Sequence, residues 1–176
     1  MNKNIILLVL TISISMIYGA HENNWAVLVA GSKSYGNYRH QSDVFHAYHI
    51  LKNNGIPKDN IIVFAYDDIA YSKGNPIPGK IFNKPNGKDV YEGVIIDYKG
   101  ADVTPENFIK VINGDKEGMA SIGTGKVLES TEKDNVFIYF SDHGSDSLIA
   151  FPKGYLYADK LNDARKEAIQ QTCLLY

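Results

Sequence analysis

Val136-Phe137-Ile138-Tyr139-Phe140-Ser141-Asp142-His143-Gly144-Ser145 is the stretch on which the reading of this chain turns. Five apolar residues run without a break and then give way at once to a polar turn that carries an imidazole. Such a run, rich in β-branched and aromatic residues, is the pattern of a strand buried on both faces, as in a parallel sheet. Working outward, two similar runs appear. Trp25 to Ala30 (WAVLVA) ends at Gly31-Ser32, and Ile61 to Ala65 (IIVFA) ends at Tyr66-Asp67-Asp68. Between them, Val44, Phe45, Ala47, Tyr48 and Leu51 fall at helical spacing within Ser42 to Lys52. Ser42 or Asp43 is available as its cap, and Asn54-Gly55 followed by Pro57 stops it. This is a βαβ unit, for which a right-handed crossover and a parallel strand pair are expected.

Residues 72 to 100 are rich in Gly, Pro and Asn, with short β-like runs at Lys80 to Asn83 and Val94 to Asp97. They predict an excursion outside the main sheet that contains a hairpin. Thr104 opens a second helix, with Pro105 at its first position and Asn107 to Ile112 following before Gly114. Residues 113 to 133 read as loop. The order β-α-β-excursion-α-β argues for an open α/β sheet, whose working residues gather beyond the carboxyl ends of the strands.

Two of those ends carry the best chemical groups. His143 follows directly on an apolar strand and has no apolar face of its own to join. An imidazole there suits a base near neutral pH, and Gly144 lets a substrate approach the backbone. The alternative is a surface turn histidine. The second group, Asn37-Tyr38-Arg39-His40, lies in the loop after the first strand. Asn37 suits the orienting of an imidazole through its ring N–H, and Arg39 the holding of a carboxylate or carbonyl through its fork of donors. A solvated loop explains the same residues. His46 and His49, at i and i+3, have metal-ligand spacing but no third ligand set beside them. Asp67-Asp68 would suit a metal too, and reads better as a loop carboxylate pair that binds backbone N–H groups. Neither pair completes a ligand set and no P-loop, GxGxxG or GxSxG is present, so no metal and no cofactor is expected.

The chain has 176 residues, 44% hydrophobic and 22% charged, which suits one domain with a buried core. A net charge of −2 without any Lys/Arg run gives no case for nucleic acid. Residues 1–19 have the layout of a secretory signal peptide: Lys3, an apolar stretch from Ile5 to Ile17, then small residues at Gly19 and Ala20. That stretch is short of the about 20 apolar residues of a membrane span, so no stable membrane anchor is expected. There is one cysteine, Cys173, so no internal disulfide staples the domain.

Several runs together resemble the legumains, caspase-like peptidases that cut after asparagine. They include Asn37 to Asp43 with His46-Ala47-Tyr48, Tyr66 to Ala70, Asn75-Pro76 with Pro78-Gly79, and Asp89-Val90-Tyr91 with Gly93-Val94. Asp97-Tyr98, Asp102 to Pro105, Gly125 to Leu128 and Val136 to Ser145 complete a match that runs from Trp25 to about Asn162. The resemblance implies a caspase-like, open, mostly parallel sheet with flanking helices, truncated after the third core strand. It implies a Cys-His dyad in which His143 is the catalytic imidazole and Asn37 the asparagine associated with it. Gly144 would supply the oxyanion N–H donor, while Arg39 and His40 would line the pocket that receives the substrate asparagine. Asp142 matches an aspartate that cyclises to a succinimide in some members. Protein or peptide substrates follow, as does residence in the secretory pathway, in a lysosome or vacuole or outside the cell.

The departure from the family pattern lies at the end. The family nucleophile is expected about forty residues after the imidazole, within a run like Glu-Ala-Cys-Glu-Ser-Gly, similar to the roughly 50 of caspases. Residues 20–169 follow the family, and 170–176 read as a divergent tail in which Cys173 has no acidic-small flank and no strand before it. The chain as given is therefore expected to lack the nucleophile and to be inactive. The alternative is a non-catalytic product that binds a peptide or partner. Val136 to Phe140 is further expected to stand at an exposed edge of the sheet.

Overall fold

The computed structural model describes residues 23–171. Residues 1–19, read as a signal peptide, and Cys173 lie outside them. Four parallel strands form the main sheet: β1 (Asn24–Ala30), β2 (Ile61–Ala65), β3 (Tyr98–Lys99) and β4 (Asn135–Ser141). Their order across the sheet is β3-β2-β1-β4, which puts β1 in the interior. All three strands read from the sequence are present, and the sheet is the mostly parallel, helix-flanked α/β sheet expected. One difference lies in the excursion. Its last residues do not stay outside the sheet but join it as β3, so Val136 to Phe140 belongs to the fourth strand of the sheet and not the third. The expected hairpin reduces to a single antiparallel bridge between Phe82 and Asp89, because turns take up the rest of that segment.

The helices cover both faces. α1 (Tyr38–Asn53) packs Val44, Phe45 and Tyr48 against Ala26, Leu28 and Ala30 of β1 and Ile61 and Val63 of β2. On the other face Val27, Val29, Ile62 and Phe64 meet Phe108, Val111 and Ile112 of α2 (Pro105–Ile112). Alternation along β1 thus feeds two separate cores, which is why the strand reads as apolar at every position. α2 begins as its sequence predicts: the Thr104 side chain accepts from the Asn107 N–H at 3.1 Å, and Pro105 occupies the first turn. α3 (Lys116–Met119) is a single turn inside the stretch read as loop.

α1 starts four residues before the predicted Ser42. The 3-10 turn Tyr35–Asn37 runs straight into it, and the Ser42 hydroxyl donates to the Arg39 carbonyl at 2.9 Å from within the helix instead of capping it. Tyr38 ties the early turn down, its hydroxyl accepting from the Phe82 N–H at 2.6 Å. Arg39 and His40 therefore ride on the first turn of a helix, not on a loop. After β4 the chain makes an antiparallel meander, β5 (Gly144–Ser145), β6 (Leu148–Ala150) and β7 (Tyr155–Tyr157), and enters α4 (Ala158–Gln171). Among the described residues no helix is long and apolar enough to cross a membrane.

Candidate active site

The site forms because β1 and β4 are neighbours in register. Ala30 pairs with Ser141, so Gly31 and Asp142 leave the sheet side by side, with the Gly31 N–H donating to the Ser141 carbonyl at 3.1 Å. Only glycine fits there. A Cβ on Gly31 would lie 2.7 Å from the Ala150 carbonyl and 2.8 Å from both Asp142 Oδ2 and the Phe140 ring. The chain then passes Ser32 and turns into α1, which returns Arg39 and His40 towards the end of β4. Asp68, at the end of β2, pins the turn by accepting from the Ser34 N–H at 2.6 Å and from Gln41 Nε2 at 2.9 Å. Its neighbour Asp67 accepts from the Tyr91 hydroxyl at 2.8 Å and Lys99 Nζ at 2.7 Å. The carboxylate pair is thus spent on holding loops together.

The Asp142 carboxylate is almost wholly buried, with 2% of its side chain exposed, whereas 56% of the His143 side chain is exposed. Asp142 Oδ1 lies 3.0 Å from His143 Nδ1 and 3.2 Å from His40 Nδ1. His40 Nδ1 also meets Ser32 Oγ at 2.7 Å, and its ring stands edge-on to that of His143 with centroids 4.9 Å apart. On the far side of the His143 ring, Arg39 Nη2 lies 2.9 Å from Nε2. A guanidinium only donates, so His143 Nε2 accepts and the ring proton sits on Nδ1, donated to Asp142. Burial holds the His40 imidazole below its ordinary pKa; Arg39 and His143 push the same way, and Asp142 opposes them.

Arg39, His40 and His143 are thus brought together, with Asp142 beneath. Gly144 follows at the exposed start of β5. The Asn37 carboxamide donates to the Lys33 carbonyl at 3.0 Å, and the partner at His143 Nδ1 is Asp142. Sequence reasoning missed Ser32 and Gln41, whose roles depend on contacts across the fold that no local pattern reports. His46 and His49 lie elsewhere, on a groove of about 410 Å³ beside Lys84 and Lys88, with His49 Nε2 3.1 Å from the Val90 carbonyl. Among the described residues the group whose ligand atoms converge is His40, Asp142 and His143, within 4.8 Å of one another.

The carboxyl edge of a parallel sheet in an α/β fold thus gathers an imidazole, a buried carboxylate and a guanidinium. The lineage is specific. The model of the peptidase C13 family matches residues 24–174, and the chain belongs to that family. It is 55% identical over 140 residues to a legumain of Homo sapiens, covering 80% of this chain and 32% of that protein. It is 57% identical over 144 residues to a hemoglobinase of Schistosoma mansoni, covering 82% and 32%. A legumain of Canavalia ensiformis is 53% identical over 144 residues, covering 81% and 30%. The chain thus spans about a third of the length of the curated relatives it matches.

Proposed function

We propose that this chain carries the histidine half of a legumain-like cysteine endopeptidase that cleaves after asparagine. One observation supports this above the others: His143 stands half-exposed at the end of β4 with its Nδ1–H on a buried carboxylate and with Arg39 and His40 against it. In the reaction His143 Nε2 takes the proton of the attacking thiol, the thiolate adds to the carbonyl of the Asn-Xaa bond, and the oxyanion is held by backbone donors, among them the Gly144 N–H. His143 gives a proton to the leaving amine, and water, deprotonated by the same imidazole, then hydrolyses the acyl-enzyme. Arg39 and His40 line the pocket for the asparagine side chain, and Asn37, whose carboxamide donates to the Lys33 carbonyl, holds the turn that leads into them. Proteins are the substrates. Export directed by residues 1–19, and work in a lysosome, vacuole or outside the cell, complete the reading.

We assign the nucleophile to no residue of this chain. The sequence holds one thiol, Cys173, thirty residues after His143 and without the acidic-small flank that the family reading requires. A hydrolytic site without its thiolate keeps about 10³–10⁴-fold over water, far below a working protease. The chain should therefore leave an Ala-Ala-Asn peptide substrate intact at mildly acid pH. Grafting the remainder of a complete legumain catalytic domain after residue 162 should restore cleavage, and His143→Ala should abolish it in the graft. Cleavage by the ungrafted chain, lost on Cys173→Ser, would overturn the assignment. A non-catalytic, peptide-binding role is a second reading, favoured by Arg39 capping His143 Nε2. Saturable binding of the Asn peptide without turnover would support it.

A further inference from the structure

We propose that His40, Asp142 and His143 form a three-ligand site for a divalent transition metal ion of the zinc class. The three side chains come from the first turn of α1 and the end of β4, and one ligand atom from each lies within 4.8 Å of the others. Donors bound to one tetrahedral zinc at 2.0–2.2 Å stand roughly 3.3 Å apart. The two measured edges, from Asp142 Oδ1 to His40 Nδ1 and to His143 Nδ1, are 3.2 Å and 3.0 Å. The third edge, between one nitrogen of each imidazole, lies within 4.8 Å, and His143 is the exposed member of the set. Two imidazoles and one carboxylate favour zinc, cobalt or nickel over calcium or magnesium, which prefer oxygen. Three protein ligands leave a fourth position open. An ion at His40 Nδ1 occupies the nitrogen that now faces Ser32 Oγ at 2.7 Å, so that hydroxyl gives up its contact when the ion binds.

Arg39 gives the site a signature that a chance cluster would lack. His143 Nε2 now accepts from Arg39 at 2.9 Å. An ion at Nδ1 displaces the ring proton to Nε2, and that atom becomes a donor facing a cation that also only donates. The ion and the Arg39 contact therefore exclude one another, and a bound ion turns the pocket arginine away. That the ion would also withdraw His143 from proton transfer rests on the peptidase reading; the binding itself does not.

The test is a titration of the full chain as its Cys173→Ser variant, so that the terminal thiol supplies no ligand. Zn²⁺ is measured by competition with a chromophoric chelator and Co²⁺ by its visible absorption. One equivalent is expected to bind. His143→Ala, a change at an exposed side chain, should weaken binding by more than the about 10–100-fold that loss of an outer-shell partner costs. Asp142→Asn should do the same, with the fold checked by circular dichroism. Arg39→Gln removes the cation and offers Nε2–H an acceptor, so it should tighten binding several-fold. Replacing His46 and His49 together by alanine should leave it unchanged. No saturable binding, equally tight binding in His143→Ala, or loss of the site with His46 and His49 would overturn the proposal. A Zn²⁺ affinity unmoved by Arg39→Gln would overturn the exclusion by Arg39.

Discussion

β2 and β4 flank the same strand, run parallel to it and are built from the same kind of residue, yet they live in different environments. Ile61–Ala65 is buried at every position, while Asn135–Ser141 has no fully buried residue and Phe137 is 45% exposed. The outer edge makes the difference. β2 has β3 on its outer edge, α1 over one face and α2 over the other. Among the described residues β4 is the last strand of the sheet, and its Phe137 and Tyr139 line an open apolar groove of about 300 Å³ with Ala47, Ile50 and Leu51 of α1. An apolar run thus states that a strand is meant to be buried on both faces. Whether it is buried depends on what lies beside it.

The comparison can be tested through two phenylalanines. Phe64 of β2 is fully buried and stacks on Tyr98 with ring centroids 4.4 Å apart. Phe64→Ala should cost about 3–5 kcal/mol, the usual penalty for an emptied aromatic site. Phe137→Ala should cost less than about 1 kcal/mol, because its ring already faces solvent. Urea denaturation of both variants decides it. Equal losses would mean that β4 is covered in solution by something that adds to the described fold. An apolar-surface dye that binds the parent chain should bind Phe137→Lys less well, since a charge on an edge strand blunts it.

The same contrast explains what was legible in the sequence. β1, β2 and β4 announced themselves because continuous apolar runs need no knowledge of partners. His143 was legible because it stands where such a run breaks into a turn. The first turn of α1 was hidden because its polar residues obscure the helical period. Gln41 is only 1% exposed, yet it is buried for a hydrogen bond to Asp68 and not for apolar packing. The meander β5–β7 has strands of two or three residues, too short to show alternation. The Ser32–His40 contact and the convergence of His40 on Asp142 depend on the adjacency and register of β1 and β4, which local pattern does not encode.

A second test sits where β1 and β4 part. Among the described residues β4 has no strand on its outer side, but it is tight at its carboxyl end, where a Cβ on Gly31 would meet Ala150, Asp142 and Phe140. Gly31→Ala should cost about 1–3 kcal/mol by overpacking and should shift the His143 ring resonances, because Asp142 has to move. Gly36 lies five residues further on, with nothing within 4 Å of an added Cβ. Gly36→Ala should be neutral or stabilise by up to about 1 kcal/mol through the unfolded chain. Thermal melts and histidine NMR of the two variants separate the cases. A silent Gly31→Ala would show that β4 yields at its carboxyl end as easily as at its edge.

The smallest effect concerns two buried carboxylates, one on each side of β1. Asp97 lies against β2, accepting from the Val63 N–H at 2.9 Å and from Thr124 Oγ1 at 2.9 Å, and burial pushes its carboxyl above the ordinary range despite those bonds. Asp134 precedes β4. Burial opposes its ionisation too, but the Thr131 N–H at 2.8 Å and hydroxyl at 3.1 Å, with Asn23, hold it below the ordinary range. The signs are opposite. The fold holds a proton on Asp97 more tightly than the unfolded chain does, so its contribution falls as pH rises from the unfolded pKa through the folded one. For Asp134 the contribution is present above the unfolded pKa and is lost as pH falls through the folded one. Urea midpoints of the parent, Asp97→Asn and Asp134→Asn between pH 3 and 7 should therefore diverge. As pH rises, the parent's advantage over Asp97→Asn should shrink, and its advantage over Asp134→Asn should grow. Slopes of one sign would mean that the two sides of β1 bury charge alike, and that the contrast between β2 and β4 is confined to their apolar faces.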